Sequence, residues 1–323
     1  MASPNLSELV ATTLRNRSGK LADNVTANNA LLYKLNQTGR VKPISGGRTI
    51  VQELSYAENS TYKRYSGYET LDISPSDVIS AAEFNIKQAA VAVSISGLEE
   101  LQNAGKERTI ELLASRIENA EDTMKNNISA DIYSDGTADG GKQIGGLQSL
   151  VADTPTSGTV GGIDRSAYSF WQNYSYDATT AGGAAATSGN IQKYMNQVYL
   201  NTCRGTDKTD LIVADNNYFK LYLESMQTIQ RVTSEKMTSA GFMNLKYMNA
   251  DVVFDGGYGG DCPTNHMYFL NTKHIFFRPH KERNMVPLNP DRYATNQDAV
   301  VKLIGFAGNM TMSNAFLQGV LKD

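Results

Sequence analysis

The longest periodic pattern in the chain lies between residues 107 and 134. Its apolar residues recur at steps of three and four, which places them on one stripe of a helix. Charged residues fill most of the other positions, so only one side of this helix can be buried. At about 1.5 Å per residue the helix is roughly 40 Å long. The stripe consists of Ile110, Leu113, Ile117, Ala120, Met124, Ile128 and Ile132.

A pattern of period two begins at Arg48 and predicts a long β-hairpin. Alternating residues predict a first strand, residues 59–61 supply a turn, and residues 62–73 are predicted to return as the second strand. A two-stranded element is barely stable alone in water, so its tyrosines require a partner surface. We expect this surface to be another copy of the chain. The candidate interface residues are Tyr56, Tyr62, Lys63, Arg64, Tyr65 and Tyr68.

The remaining patterns predict a mixed α+β chain without a regular βαβ repeat. A glycine-rich stretch at 134–146 ends the long helix, and residues 151–189 are predicted to be a surface excursion anchored by aromatic side chains. Asp215 is the predicted N-cap of a following helix. The predicted strands are 84–96, 211–214, 251–254, 267–270, 275–278 and 299–309, and the shorter predicted helices are 7–15, 28–35, 191–199 and 218–226.

Composition and charge are those of an ordinary globular protein. Of 323 residues, 41% are hydrophobic and 20% are charged, which is enough for a large core. The formal net charge of −3 gives no overall attraction to nucleic acid or to anionic membranes. The N-terminal residues lack the pattern of a secretory signal, and no apolar run is long enough to cross a membrane. We therefore expect synthesis in a cytoplasm and no membrane contact.

No motif in the sequence predicts catalysis or a cofactor. There is no G-x-S-x-G nucleophile motif, and the spacing of His266, His274 and His280 matches no zinc pattern. The glycine-rich run at 255–261 lacks a phosphate-binding lysine and is predicted to be a hairpin loop. A basic group at 278–283 is typical of a solvated loop or the edge of an interface. The sequence predicts neither an enzyme nor a metal site.

The order of these elements resembles the major capsid proteins of tailed bacteriophages, whose fold is shared with herpesvirus capsids and encapsulins. The resemblance rests on an N-terminal arm, a long hairpin, the strand at 91–99 leading into a long spine helix, and a Gly145-Gly146-Leu147 hinge. The strand and helix at 210–226 and the late strand at 299–309 match the family's central and returning elements. Each motif is weak by itself, and their order carries the resemblance.

The resemblance implies a domain organisation. It consists of an N-terminal arm (1–45), an extended hairpin loop (46–75), a peripheral domain with the spine helix (76–150 and 286–323) and an axial domain (151–285). Because identical copies occupy five-fold and six-fold rings, bending is expected at the hinges Gly46, Gly47, Gly145 and Gly146. Some family members cross-link a hairpin lysine to an asparagine of the next subunit. Lys63 lies near the predicted turn, but no acceptor aligns, which favours ordinary salt bridges.

The implied function is self-assembly into pentamers and hexamers of an icosahedral shell that encloses phage double-stranded DNA. The shell would be a virion capsid assembled in the cytoplasm of the bacterial host. Implied partners are other copies of the chain, a separate scaffolding protein, a portal, decoration proteins and, non-specifically, the packaged DNA. Two alternatives stay open at this stage. One is an encapsulin-like compartment that holds enzymes, and the other is a soluble metal-dependent enzyme that uses His266, His274 and His280.

Overall fold

The computed structural model describes residues 29–98, 106–226, 244–255, 261–288, 292–293 and 299–323. The predicted helix at 7–15 and most of the glycine-rich run at 255–261 lie outside these ranges. Two short 3₁₀ turns, Ser169–Trp171 and Thr272–His274, supplement the helices. The helices are α1 (Ala30–Gln37), α2 (Lys106–Tyr133), α3 (Ala138–Gly141), α4 (Leu147–Leu150), α5 (Ile191–Asn201) and α6 (Asn216–Ser225).

The strands form two larger sheets and two separate hairpins, which confirms the α+β class. The strands are β1 (Thr49–Ser55), β2 (Ile79–Asn85), β3 (Lys87–Ser96), β4 (Thr159–Val160), β5 (Ile163–Asp164), β6 (Tyr174–Asp177), β7 (Leu211–Ala214), β8 (Asn244–Tyr247), β9 (Ala250–Phe254), β10 (His266–Leu270), β11 (Ile275–Pro287), β12 (Arg292–Tyr293), β13 (Ala299–Met312) and β14 (Gly319–Lys322).

A six-stranded sheet in the order β6-β14-β10-β7-β9-β8 separates two hydrophobic cores. Successive strand residues point to opposite faces, so Ile212 and Ala214 belong to the core beneath α5 and α6. Leu211 and Val213 belong to the other core, which also contains the buried side of α2. Both faces of the sheet are therefore covered, and its central strand β7 is apolar and buried throughout.

The predicted helix cap at Asp215 is confirmed. One carboxylate oxygen of Asp215 accepts a hydrogen bond of 2.9 Å from the backbone N–H of Tyr218, and the other accepts one of 2.8 Å from that of Asn265. The first bond satisfies an N–H group that would otherwise have no partner at the start of α6. The side chain thus fixes α6 at the end of β7.

A four-stranded sheet is built on the long strand β13, which pairs antiparallel with β3, β11 and β12. Helix α2 packs against β3 along its apolar stripe. The predicted positions Ile110 and Leu113 lie outside the side chains that the structure describes. The other five positions are buried, as predicted: Ile117, Ala120, Met124, Ile128 and Ile132.

The hairpin exists, but the predicted second strand is wrong. Strand β1 pairs with β2, with Thr49 opposite Asn85 and Ser55 opposite Ile79, whereas residues 62–73 form no strand. Residues 56–78 therefore form a long tip between the two strands, which we call the hairpin tip. Burial explains the difference, because Ala82 and Phe84 of β2 reach the core. The predicted strand at 84–96 is likewise divided at Ile86 between β2 and β3.

The end of α2 meets α1 and β9 at a buried carboxylate. The hydroxyl of Tyr133 donates to Asp255, and Asn29 Nδ2 donates to Asp255 Oδ2 at 3.4 Å and to Ser129 Oγ at 2.9 Å. Burial raises the pKa of Asp255 to about 6, although the bond from Tyr133 acts in the opposite direction. The contact joins the spine helix, the first described helix and the six-stranded sheet at one point.

A glycine pair lies against the end of the spine helix. The helix ends at Tyr133, as predicted from the glycines that follow. The N–H of Gly145 donates to Asn309 Oδ1 at 3.0 Å, which connects this segment to β13. A Cβ atom on Gly146 would lie 2.4 Å from the carbonyl oxygens of Asp131 and Ile132. Position 146 therefore accommodates only glycine without movement of the backbone.

An ion pair connects the segment after α4 to the six-stranded sheet. His266 Nε2 donates to Asp153 Oδ2 at 3.0 Å, and Nδ1 donates to the carbonyl oxygen of Thr264 at 2.7 Å. Both ring nitrogens face acceptors, so the geometry suits the imidazolium form. Burial alone lowers the pKa of His266, but these hydrogen bonds outweigh it and raise the pKa above 6.5.

Gly146→Ala should destabilise the fold by about 3 kcal/mol, because the added methyl overlaps the backbone of α2. Gly145→Ala is the matched control, since its Cβ would lie 3.6 Å from the nearest atom, Asn309 Oδ1. It should change the free energy of unfolding by no more than about 1 kcal/mol. Urea unfolding of both variants measures the difference, and equal losses would contradict the packing role of Gly146.

His266→Gln should reduce stability in a pH-dependent way. The pKa of His266 is raised in the folded state. The stabilisation that His266 provides is therefore fully present at pH values below the pKa of free histidine, and it is lost as the pH rises through the pKa of the folded state. The free energy of unfolding of the wild type should exceed that of the variant at about pH 5.5. This difference should be about 1 kcal/mol larger than the difference at about pH 8.5. Urea unfolding at both pH values tests this. Asp153→Asn should show the same dependence, and a pH-independent difference would refute the ion pair.

Candidate assembly interface

The base of the hairpin is firmly attached to the body. Ile50 and Leu54 of β1 and Ala82 and Phe84 of β2 point to one side and are buried. Gly161, in the turn between β4 and β5, approaches Ala82 and Phe84 so closely that a Cβ there would lie 2.9 Å from the Ala82 methyl. This packing fixes the register of the two strands and the direction in which the hairpin leaves the body.

The hairpin tip, in contrast, leaves its apolar side chains in water. Tyr68 is fully exposed, and Tyr62 and Tyr65 keep 77% and 63% of their surface accessible. Ile73 is 94% exposed, which is unusual for an aliphatic side chain of this size. Exposed apolar side chains grouped in one segment are typical of a protein interaction site. Three of the four predicted tyrosines are therefore exposed to solvent in the hairpin tip.

Tyr56, the fourth predicted tyrosine, belongs to the base of the tip. Its ring stacks on Phe170 with the ring centres 5.3 Å apart, and its hydroxyl donates to the carbonyl oxygen of Asp77 at 2.9 Å. The Asp72 carboxylate accepts hydrogen bonds from the hydroxyl and the N–H of Ser74, which lower the pKa of Asp72. Local bonds of this kind shape the tip without covering its apolar residues.

Within the described part of the chain, the contacts of the predicted basic residues of the tip are with neighbours in the tip. Lys63 Nζ lies 3.1 Å from Glu69 Oε2, and the Arg64 guanidinium lies 5.9 Å from the centre of the Tyr62 ring. Both contacts are exposed and therefore contribute little to the stability of the monomer. The contact of Lys63 is the ordinary salt bridge that the sequence favoured.

The four predicted hinge glycines fall into two kinds of environment. Gly46 and Gly47 are exposed and have φ values of 155° and 115°, and a Cβ on Gly46 would meet no atom within 4 Å. Gly145 and Gly146 lie in the packed segment against α2 and β13. The geometry around Gly146 assigns it a close-packing role, and its function as a hinge stays a prediction.

The three histidines occupy separate surroundings. His266 contacts Asp153, His274 Nδ1 lies 3.1 Å from Ser313 Oγ, and His280 Nδ1 accepts from the N–H of Glu282 at 3.2 Å. Within the described ranges, no three His, Cys, Asp or Glu side chains come together in a group that could hold a metal ion. None of the described helices combines the length and apolar character needed to span a membrane.

A cleft beside the hairpin base was missed by the sequence patterns. It has a volume of about 600 Å³ and is lined by Tyr56, Phe170, Trp171 and Phe316, among others. Phe316 and the adjacent Tyr168 are more than half exposed. The cleft joins residues from distant parts of the chain, so no local spacing could have indicated it. It extends the open aromatic surface from the tip towards the body.

Comparisons with known proteins identify the fold. No family model and no curated protein matches the sequence. Among solved structures, the capsid asymmetric unit of cyanophage A-1(L) is similar to 88% of this chain and 90% of its own, with a TM-score of 0.67 and 15% identity. The capsid of a native GTA particle, computed with C5 symmetry, has a TM-score of 0.54 and 12% identity, with 89% of both chains covered.

The capsid of Myoviridae phage XM1 is also similar, with a TM-score of 0.51, 12% identity and coverage of 89% of this chain and 91% of its own. Each similarity extends over nearly the whole length of both chains. The similarity therefore concerns the overall fold rather than one shared motif. The chain has the fold of the major capsid proteins of tailed bacteriophages.

Proposed function

We propose that this chain is a structural capsid protein that assembles into pentamers and hexamers of an icosahedral shell around phage double-stranded DNA. The observation that carries the proposal is the combination of a capsid fold with a hairpin whose apolar tip is exposed. The role is non-enzymatic and the chain requires no cofactor.

The energetics of the tip favour assembly. Removing apolar surface from water contributes about 25 cal/mol per Å². In the free chain, Tyr62, Tyr65, Tyr68 and Ile73 lack this contribution because they are exposed. A neighbouring copy that covers them supplies it, and interfaces of about 1,600 Å² repeated around each subunit would hold a closed shell without covalent bonds.

The proposed division into domains follows the two sheets, with two exceptions. The peripheral domain (76–150 and 286–323) would contain α2 and most of the four-stranded sheet, and the axial domain (151–285) would contain α5, α6 and most of the six-stranded sheet. The proposed division also includes an N-terminal arm (1–45) and an extended hairpin loop (46–75). Strand β11 (Ile275–Pro287) is part of the four-stranded sheet, although most of its residues fall within the range 151–285. At the C-terminal end, β14 pairs with β6 and β10, so this strand is part of the axial sheet.

Identical subunits in rings of five and six require a segment outside the packed body that can change its direction. Gly46 and Gly47 lie just before β1, in exposed chain with positive φ values. Glycine adopts such values without the steric cost that other residues carry. We infer that the preceding arm adjusts its direction at these two residues, while the packed hairpin base stays fixed to the body.

We infer the remaining partners from the same role. A separate scaffolding protein would guide assembly in the cytoplasm of the host bacterium, and a portal and decoration proteins would complete the virion capsid. Contact with packaged DNA would be non-specific, because the formal net charge of −3 gives no general attraction to phosphates. A weak attraction suits a container through which DNA must move during packaging.

Replacing Tyr68 and Ile73 together by serine should abolish assembly without unfolding the chain. Both side chains are exposed, so the free energy of unfolding should change by less than about 0.5 kcal/mol. Sedimentation and electron microscopy of the purified chain should show rings for the wild type and monomers for the variant.

Met248→Ser is the matched control, because Met248 is 58% exposed and lies in the turn between β8 and β9, at the edge of the six-stranded sheet. It should assemble like the wild type. The proposal would be refuted if the wild-type chain stayed monomeric at high concentration, or if the Tyr68 and Ile73 variant assembled normally.

A further inference from the structure

Three cationic side chains surround one buried aromatic ring. The charged groups of Arg40, Lys42 and Arg278 lie 5.5, 5.1 and 5.1 Å from the centre of the Phe276 ring. Phe276 itself is 6% exposed, so the cations form the surface above it. Attraction to the ring offsets part of their mutual repulsion. We call Arg40, Lys42 and Arg278 the cationic cluster.

Backbone pairing explains why these residues meet. The segment at 40–44 runs parallel to β11, with Val41 opposite Phe277, and Lys42 N–H donates to the Phe277 carbonyl at 2.9 Å. Neighbours of a paired residue point to the opposite face of a sheet. The residues on either side of Val41 and of Phe277 therefore share one face, which brings the cationic cluster and Phe276 together.

The cationic cluster has no carboxylate partner among the described residues. None of its members forms a salt bridge there, and Arg278 Nη2 donates to a neutral acceptor, Gln52 Oε1, at 2.8 Å. The Nε atoms of Arg40 and Arg278 are buried without any hydrogen-bond partner. Unsatisfied charged donors are unfavourable, so an anion from outside the monomer would stabilise this surface.

An unpaired acidic pair lies on the other side of the hairpin. Glu53 is opposite Ala81 and Glu83 is opposite Val51, which makes the two glutamates diagonal neighbours about 7 Å apart. Both are exposed, and neither forms a salt bridge with a described residue. Two like charges this close repel each other in the free chain. We call Glu53 and Glu83 the acidic pair.

The cationic cluster and the acidic pair face in opposite directions. Arg278 bonds to Gln52, which points inward, and the next residue along β1, Glu53, points outward. One subunit therefore presents positive charge on one side of its hairpin base and negative charge on the other. When a subunit has different surfaces on its two sides, neighbouring copies contact each other head to tail. Such contacts form a ring when the rotation from one subunit to the next closes on itself.

We propose that the cationic cluster of one subunit binds the acidic pair of the next subunit in the ring. The proposal rests on the proposed shell function and assigns it a specific electrostatic contact, separate from the apolar hairpin tip. A second copy is favoured over nucleic acid because the chain itself carries the complementary charges. Each side is unpaired alone, so docking relieves repulsion on both subunits and steers their orientation.

A charge swap tests the contact. Lys42→Glu and Glu53→Lys should each slow assembly by at least about tenfold, because each places like charges together. Their combination should recover most of the wild-type rate. Light scattering records the rate, electron microscopy identifies the particles, and urea unfolding verifies that each variant is folded. Lys42→Gln, which only removes the charge, should give a smaller effect. Raising NaCl from about 0.05 M to about 0.5 M should slow the wild type.

Lys193→Glu is the matched control, since Lys193 is an exposed cation on α5 without a salt bridge to a described residue. It should assemble at the wild-type rate. The contact is refuted if the combined variant is no faster than the single variants, or if the control is slowed equally. It is also refuted if Lys42→Glu assembles normally but loses affinity for duplex DNA, which would make the cluster a phosphate site. A wild-type chain that forms no particles would overturn the proposed function and this contact with it.

Discussion

The desolvation of the hairpin tip is the interaction on which the account of this molecule depends. The base of the hairpin is buried by its own chain through Ile50, Leu54 and Phe84, whereas Tyr68 and Ile73 of the tip meet only water. Folding therefore completes the body and the base but leaves the tip without its hydrophobic stabilisation. The hairpin is thus firmly packed where it leaves the body, whereas the apolar side chains of its tip have no packing partners. A second molecule is the natural source of the missing contacts.

The body of the protein is suited to present such a hairpin. Two cores share the six-stranded sheet, and the spine helix closes the larger core along a single stripe. The carboxylate of Asp255 and the close approach of Gly146 hold the end of that helix against the sheet. A firmly packed body transmits the position of one subunit to the next, which a shell of many copies requires.

Local patterns predicted the elements whose stabilising contacts are close in sequence. The stripe of α2 and the cap at Asp215 depend on neighbours within a few residues, and both are confirmed. The second hairpin strand was placed at 62–73 because it follows a predicted turn at 59–61, but pairing is decided by the burial of Ala82 and Phe84 against distant residues. Strand β14 was missed for the same reason, since its partners β6 and β10 are remote in the sequence.

Local sequence patterns also predicted only part of the candidate interface. The exposed tyrosines were predicted from composition and hairpin length, while the aromatic cleft beside Phe170 required the folded structure. The basic residues at 278–283 were visible as a group, but the arrangement of Arg40 and Lys42 around Phe276 follows from the pairing of two segments far apart in the chain. Charge alone left two interpretations open, a solvated loop or the edge of an interface, and the arrangement around Phe276 favours the second.

Amide hydrogen exchange, followed by mass spectrometry on free chain and on assembled particles, tests the central claim most directly. The account predicts that peptides covering residues 56–78 exchange rapidly in the free chain and become protected in particles, while peptides from β7 and β10 are protected in both. Strong protection of residues 56–78 in the isolated chain would contradict it. Unchanged rapid exchange in the particles would contradict it equally.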